Sequence, residues 1–174
     1  MLENNDLFPA LAFARAGGGE IHLPDDLAGG FGVILFYRGA WSNACNEQLY
    51  AFAQAADAFA VEDIKVVAVS VDAREEAEGL VEKYGLTFAV GYAADPQAVS
   101  AVTGVLVNED SAYFEATGFV LSPDGRIHTA IYSSTEGFEE RIVTIVYSSA
   151  TVSRLMPADV LRVIASAKSS AKSR

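Results

Sequence analysis

The residues best suited to chemistry cluster around Cys45, the only cysteine in the chain. A run of apolar, β-prone residues (33–37) breaks at Gly39 and gives way to a helical period in which Leu49, Phe52, Ala56 and Phe59 share one face. Cys45 falls just inside that helix start. There, unpaired backbone N–H groups and the positive end of the helix dipole favour thiolate over thiol, and the thiolate is the nucleophilic form. Arg38 is the nearest candidate cation to assist ionisation. Each residue also has a plainer role. A lone cysteine packs as a small hydrophobe, Ser42 or Asn43 suits a helix N-cap, Trp41 suits rim packing, and Arg38 suits pairing with local acids.

Composition narrows the remaining chemistry. The 174 residues suffice for one domain (1–174) with a proper core, and half of them are apolar. The formal charge of −11 argues against nucleic acid or an anionic membrane as partner, because phosphate binding depends on clustered Lys and Arg. A single cysteine forms no internal disulfide, and His22 and His128 show no ligand spacing with it, so neither metal nor cofactor is expected. The N-terminus lacks a basic region followed by an apolar stretch, and no segment reaches the roughly 20 apolar residues of a membrane span. A cytoplasmic protein is expected.

The elements that must position Cys45 read as follows. Residues 1–18 form an irregular lead-in, and 20–24 a short strand. Residues 33–37 and 64–71 are buried central strands flanking a helix over 43–61. Asp72, with Glu75 three residues on, predicts the cap of a helix that Gly85 ends. A short strand over 86–90 precedes Asp95-Pro96, a cap with proline at the first helical position, and Gly104 is the stop. Residues 118–122 and 126–133, joined by Pro123-Asp124-Gly125, predict a hairpin. A closing amphipathic helix opens near Met156, and 168–174 is a polar, frayed tail. Alternating strands and helices imply right-handed parallel crossovers, with antiparallel strands added at the edge by the late hairpin. The fold class is thus α/β, a three-layer sandwich with a mixed central sheet.

One feature stands outside this frame. Arg126-Ile-His-Thr-Ala-Ile-Tyr-Ser-Ser134 and Arg141-Ile-Val-Thr-Ile-Val-Tyr-Ser-Ser149 match at Arg, Ile, Thr, Tyr, Ser and Ser with an offset of 15. A short tandem duplication of this kind predicts an extra strand or hairpin, able to extend the sheet or dock a partner chain.

Several segments together carry a family resemblance. They are Phe36-Tyr-Arg-Gly-Ala-Trp-Ser-Asn-Ala-Cys-Asn-Glu-Gln-Leu49, Val66-Val-Ala-Val-Ser-Val-Asp72, Leu86-Thr-Phe-Ala-Val-Gly91, Ala116-Thr-Gly-Phe-Val-Leu-Ser-Pro-Asp-Gly125, and Tyr147-Ser-Ser with Arg154-Leu155. Over residues 19–165 the chain resembles peroxiredoxin-like proteins of the alkyl hydroperoxide reductase and thiol-specific antioxidant type, on the thioredoxin fold. Relatives with Tyr-Arg-Gly-x-Trp commonly continue Cys-Pro-x-Cys, where this chain has Ser42-Asn43-Ala44-Cys45. Serine at the first position rules out thioredoxin-style exchange. Ser42-x-x-Cys45 instead resembles the peroxiredoxin pattern, in which the second position attacks a peroxide.

The resemblance implies that the Cys45 thiolate becomes a sulfenic acid, which an external small or protein thiol must reduce because the chain has no resolving cysteine. Ser42 would donate a hydrogen bond to the peroxide or the thiolate. The family's motif proline is replaced by Arg38. Its peroxidatic arginine has no match where Ala116-Thr117-Gly118 stands, leaving Thr117 and Trp41 as auxiliary candidates and Arg126, Arg141 or Arg154 to fold back in its place, with Arg154 the one to watch because it lies within the resembling stretch. A homodimer is the assembly such a chain would form. The alternative is a catalytically decayed thioredoxin-fold module for binding or assembly, with the repeated strand as its interface.

Overall fold

A computed structural model describes residues 1–133, 143–145 and 154–173. Its centre is β3 (Phe31–Phe36), whose side chains are buried on both faces, as expected of a strand covered by helices above and below. Val33, Leu35 and Tyr37 point into one core and Ile34 and Phe36 into the other, following the two-residue period of an extended chain. β3 pairs in parallel with β4 (Ile64–Val69), which pairs in parallel with β5 (Ala89–Tyr92). On its other side β3 pairs antiparallel with β6 (Thr117–Leu121), and β6 with β7 (Ile127–Tyr132).

Helices α1 (Asn43–Gln54), α2 (Ala56–Val61), α3 (Arg74–Tyr84) and α5 (Pro157–Lys172) place apolar residues in one core, and α4 (Pro96–Thr103) places Val99 in the other. The result is the expected mixed sheet between helical layers. Asp95 caps α4 by accepting from the backbone N–H groups of Gln97 and Ala98, and Gly104 closes that helix in the left-handed conformation.

Six sequence expectations need correction. The lead-in contains a strand, β1 (Leu11–Arg15), which pairs antiparallel with β2 (Glu20–Leu23) and with β5, so the parallel side of the sheet also ends in antiparallel strands. The three glycines that look like a terminator are the turn joining β1 to β2, with positive φ at Gly17, Gly18 and Gly19. The helix expected over 43–61 is two helices that meet at Ala55. The strand after α3 starts at Ala89, not at residue 86. The polar tail is helical through Lys172, with Lys168 Nζ 2.5 Å from Glu62 at the end of α2. Finally, Asp72 does not cap α3. Ala73 occupies that position, its N–H bonded to Glu76 at 3.0 Å, and Asp72 is turned elsewhere.

The second copy of the internal repeat contributes β8 (Val143–Ile145), antiparallel to β7 with Ala130 opposite Ile145 and Tyr132 opposite Val143. The order among the described residues is therefore β2-β1-β5-β4-β3-β6-β7-β8. The rest of 141–149, and Ser134 of the first copy, lie outside the described residues.

After that segment the chain returns to the sheet at Leu155, which packs on Gly118 of β6. A Cβ on Gly118 would lie 2.8 Å from Leu155 Cβ, a separation that forces something to move. Gln48 of α1 grips the same residue, its side-chain amide donating to the Leu155 carbonyl at 2.7 Å. Gly118→Val should therefore lift Leu155 off the sheet and cost roughly 1–3 kcal/mol through overpacking. Urea denaturation at constant m-value would measure the loss.

Candidate active site

The site forms where β3 ends and α1 begins. Tyr37 continues the strand's bonding, with its N–H donating to the Val69 carbonyl at 3.1 Å. Gly39 turns the chain with φ +151°, and a Cβ there would lie 2.6 Å from Trp41 Nε1 and 2.8 Å from Asp72 Oδ1. Glycine is required because indole and carboxylate both close on it. Ser42 is the N-cap of α1, its Oγ accepting from the Cys45 N–H at 3.4 Å. Cys45 is the third residue of the helix and has 0% exposure.

Two donors converge on the Cys45 sulfur. The backbone N–H of Arg38 lies 3.4 Å from Sγ, and Arg154 Nη1 lies 3.2 Å from it, across 109 residues of sequence. With the N-terminus of α1 behind it, the sulfur sits among groups that hydrogen-bond to a negative charge. Arg154 occupies that place because its neighbour Leu155 is fixed by Gly118 below and Gln48 beside it.

The guanidinium of Arg38 contacts other groups, while its backbone N–H serves the sulfur. Its Nη2 donates to Tyr113 Oη at 3.1 Å, and its Nε lies 3.7 Å from the buried carboxylate of Glu115. The group stacks 4.7 Å from the Trp41 ring centroid and 5.1 Å from that of Tyr113, two rings that meet edge to face. Trp41 stays 58% exposed while forming one wall of this clamp. Thr117 is buried, with its hydroxyl bonded to the Glu115 carbonyl.

The loop between Arg38 and α1 is tied at two further points. Asp72 Oδ2 accepts from the Ala40 N–H at 2.9 Å, and Asn46 Nδ2 donates to the Ala40 carbonyl at 2.9 Å. Burial raises the Asp72 carboxyl above its ordinary range, opposed by the bonds from Ala40 and Ser70, and burial likewise keeps the Tyr37 phenol protonated. Gln48, Asp72, Tyr113 and Glu115 escape a reading of local sequence. Each acts on a residue far from it in the chain, and the one visible hint, Asp72 placed to cap a helix, points to the wrong job. Among the described residues no cluster of three metal-ligating side chains exists.

Residues 5–130 match the AhpC/TSA family. The chain belongs to that family. No curated protein sequence matches it significantly. Among solved structures it is similar to peroxidoxin BcpB from Mycobacterium tuberculosis (18% identity, TM-score 0.73, covering 97% of this chain and 98% of that one). It is also similar to Enterococcus faecalis AhpC (17%, 0.74, 100% and 98%) and to a yeast mitochondrial 1-Cys peroxiredoxin (20%, 0.73, 99% and 79%). At these identities the structures share the fold, here the thioredoxin-like fold of peroxiredoxins. Arginine stands at position 38, and Arg154, from beyond the repeat, is the arginine that reaches the sulfur.

Two measurements check this geometry. Arg154→Met keeps the bulk but removes the charged donor, and should slow alkylation of Cys45 by iodoacetamide at pH 7 by about tenfold or more, since a hydrogen bond to a charged group contributes about 1.5–3 kcal/mol. For Asp72 the raised folded-state value means that folding favours the protonated acid. The stabilising effect of protonation is therefore full below the ordinary Asp range and lost as pH rises through the higher folded value. Asp72→Asn should gain stability relative to the native protein between pH 4 and pH 7, as read by paired urea titrations. Parallel curves would contradict the assignment.

Proposed function

We propose that this AhpC/TSA-family protein is a one-cysteine, thiol-dependent peroxidase with Cys45 as its nucleophile. The observation that carries the reading is the sulfur held between the Arg38 N–H and Arg154 Nη1 at the N-terminus of α1. Donors placed to hold a thiolate also hold the charge that develops during attack on a peroxide. The Cys45 thiolate attacks one oxygen of a hydroperoxide R–O–O–H. The S–O bond forms as the O–O bond breaks, and the departing alkoxide takes a proton to leave as ROH. Ser42, capping the helix through its oxygen, keeps its hydroxyl proton available for a donor role toward peroxide or thiolate.

Cys45 is then a sulfenic acid. An external thiol displaces water to form a mixed disulfide with Cys45, and a second thiol releases the Cys45 thiol together with an oxidised disulfide. One hydroperoxide and two thiols yield alcohol, water and one disulfide, with no bound cofactor. The reductant is a small or protein-borne thiol. In the yeast mitochondrial 1-Cys peroxiredoxin the thiol is resolved through glutathione and thioredoxin systems, which supports an external reductant here.

Purified protein with hydrogen peroxide and dithiothreitol should consume peroxide, and Cys45→Ser should abolish consumption. Peroxide followed by dimedone should label native protein at Cys45. A second reading, a non-catalytic thioredoxin-fold binding module, is favoured by one observation, the complete burial of Cys45. Absence of both turnover and dimedone labelling would establish that reading and sink the peroxidase.

A further inference from the structure

Residue 38 is an arginine within the Tyr37-Arg38-Gly39-x-Trp41 segment, and arginine and proline differ in what their backbone offers at such a position. Proline has no N–H. In this chain the N–H of residue 38 is one of the two donors on Cys45 Sγ, at 3.4 Å. A backbone donor is useful to a sulfur only if the backbone is held, and residue 38 is followed directly by Gly39, the most permissive residue in the loop. What holds it is the side chain. The guanidinium is bonded to Tyr113 Oη at 3.1 Å, lies 3.7 Å from Glu115, and is stacked against the rings of Trp41 and Tyr113. The Arg38 and Glu115 side chains are only 19% and 3% exposed, so the pairing is sheltered from water.

We propose that Arg38 is a positioning residue. Its aromatic and acidic clamp fixes the residue-38 N–H on the Cys45 sulfur, and so adds a thiolate donor that a proline at this position could not supply. On this assignment the guanidinium acts by its shape and its contacts, not by its charge near sulfur. Lysine would bring the charge but lacks the planar fork that stacks between two rings while bonding a phenol. The inference concerns ionisation of the sulfur and extends beyond the peroxidase reading. Its test needs neither peroxide nor reductant, so either can fail without the other.

The experiment follows the thiolate absorbance of the single cysteine against pH, with Cys45→Ser protein as the blank. Arg38→Met and Arg38→Lys should both reduce the thiolate fraction at a given pH by about threefold to tenfold, the loss of about one hydrogen bond of 0.5–1.5 kcal/mol. Tyr113→Phe leaves the Arg38–Glu115 pair in place, removes only the Oη acceptor, and should shift the profile in the same direction by a smaller amount. That variant keeps the test open if loss of Arg38 unfolds the protein by stranding Glu115. A native profile in Arg38→Lys would show that charge alone suffices and overturn the proposal, as would a native profile in Tyr113→Phe.

Discussion

A sulfur atom with no exposed surface has no water to stabilise its charge, so any reactivity of Cys45 depends on the donors the protein brings to it. Burial disfavours ionisation, whereas hydrogen bonds and a nearby cation favour it. In this protein the opposing pulls meet within a few ångströms. The thiol is completely covered, yet it faces the N-terminus of α1, a backbone N–H at 3.4 Å and an arginine at 3.2 Å. Much of the local architecture exists to keep those two donors in place.

The two donors are held by different means. Arg154 is carried by a tertiary anchor, Leu155, seated where Gly118 has no side chain and tied to Gln48 of the helix that bears the cysteine. The Arg38 N–H is carried by a loop fastened at both ends. Its own guanidinium is clamped between two rings and a buried acid, and Ala40 is held through both its N–H and its carbonyl by Asp72 and Asn46. The tie to Asp72 has a cost, since burial makes its charge unfavourable. The acid is nonetheless used to bridge the loop to the strand-end of β4, and α3 takes its cap from the next residue. A local capping rule yields here to a demand of the site.

The arginine at the sulfur comes from a segment far along the chain. A chain that takes its arginine from beyond the internal repeat must hold that distant segment against the cysteine helix, and the repeat itself adds β8 to the sheet edge next to β7. The fold around the site is the thioredoxin-like one, with central parallel strands and an aromatic core in which Phe36 meets Phe114 at 5.2 Å and Phe119 at 6.2 Å.

How much was legible in the sequence depended on the range of the interaction. Local signals were sufficient for β3 and β4, whose apolar runs can only be buried strands, and for α4, where Asp95-Pro96 and Gly104 mark both ends by backbone geometry. They also placed Cys45 in the first turn of α1 with Ser42 as its cap. They failed at β1, whose short mixed pattern resembles a loop until β5 and β2 pair with it, and at Asp72, whose carboxylate found a better partner across the structure. The direction of Arg38 was beyond local reach as well, because Tyr113 and Glu115 lie some 75 residues away. Residues 33–45 by themselves determine that a thiol stands at a helix N-terminus, since strand, turn and helix periods depend only on neighbours in the chain. Which groups face that thiol was decided by the tertiary structure, because an arginine 109 residues from the cysteine meets it only when the sheet and its packing bring the two together.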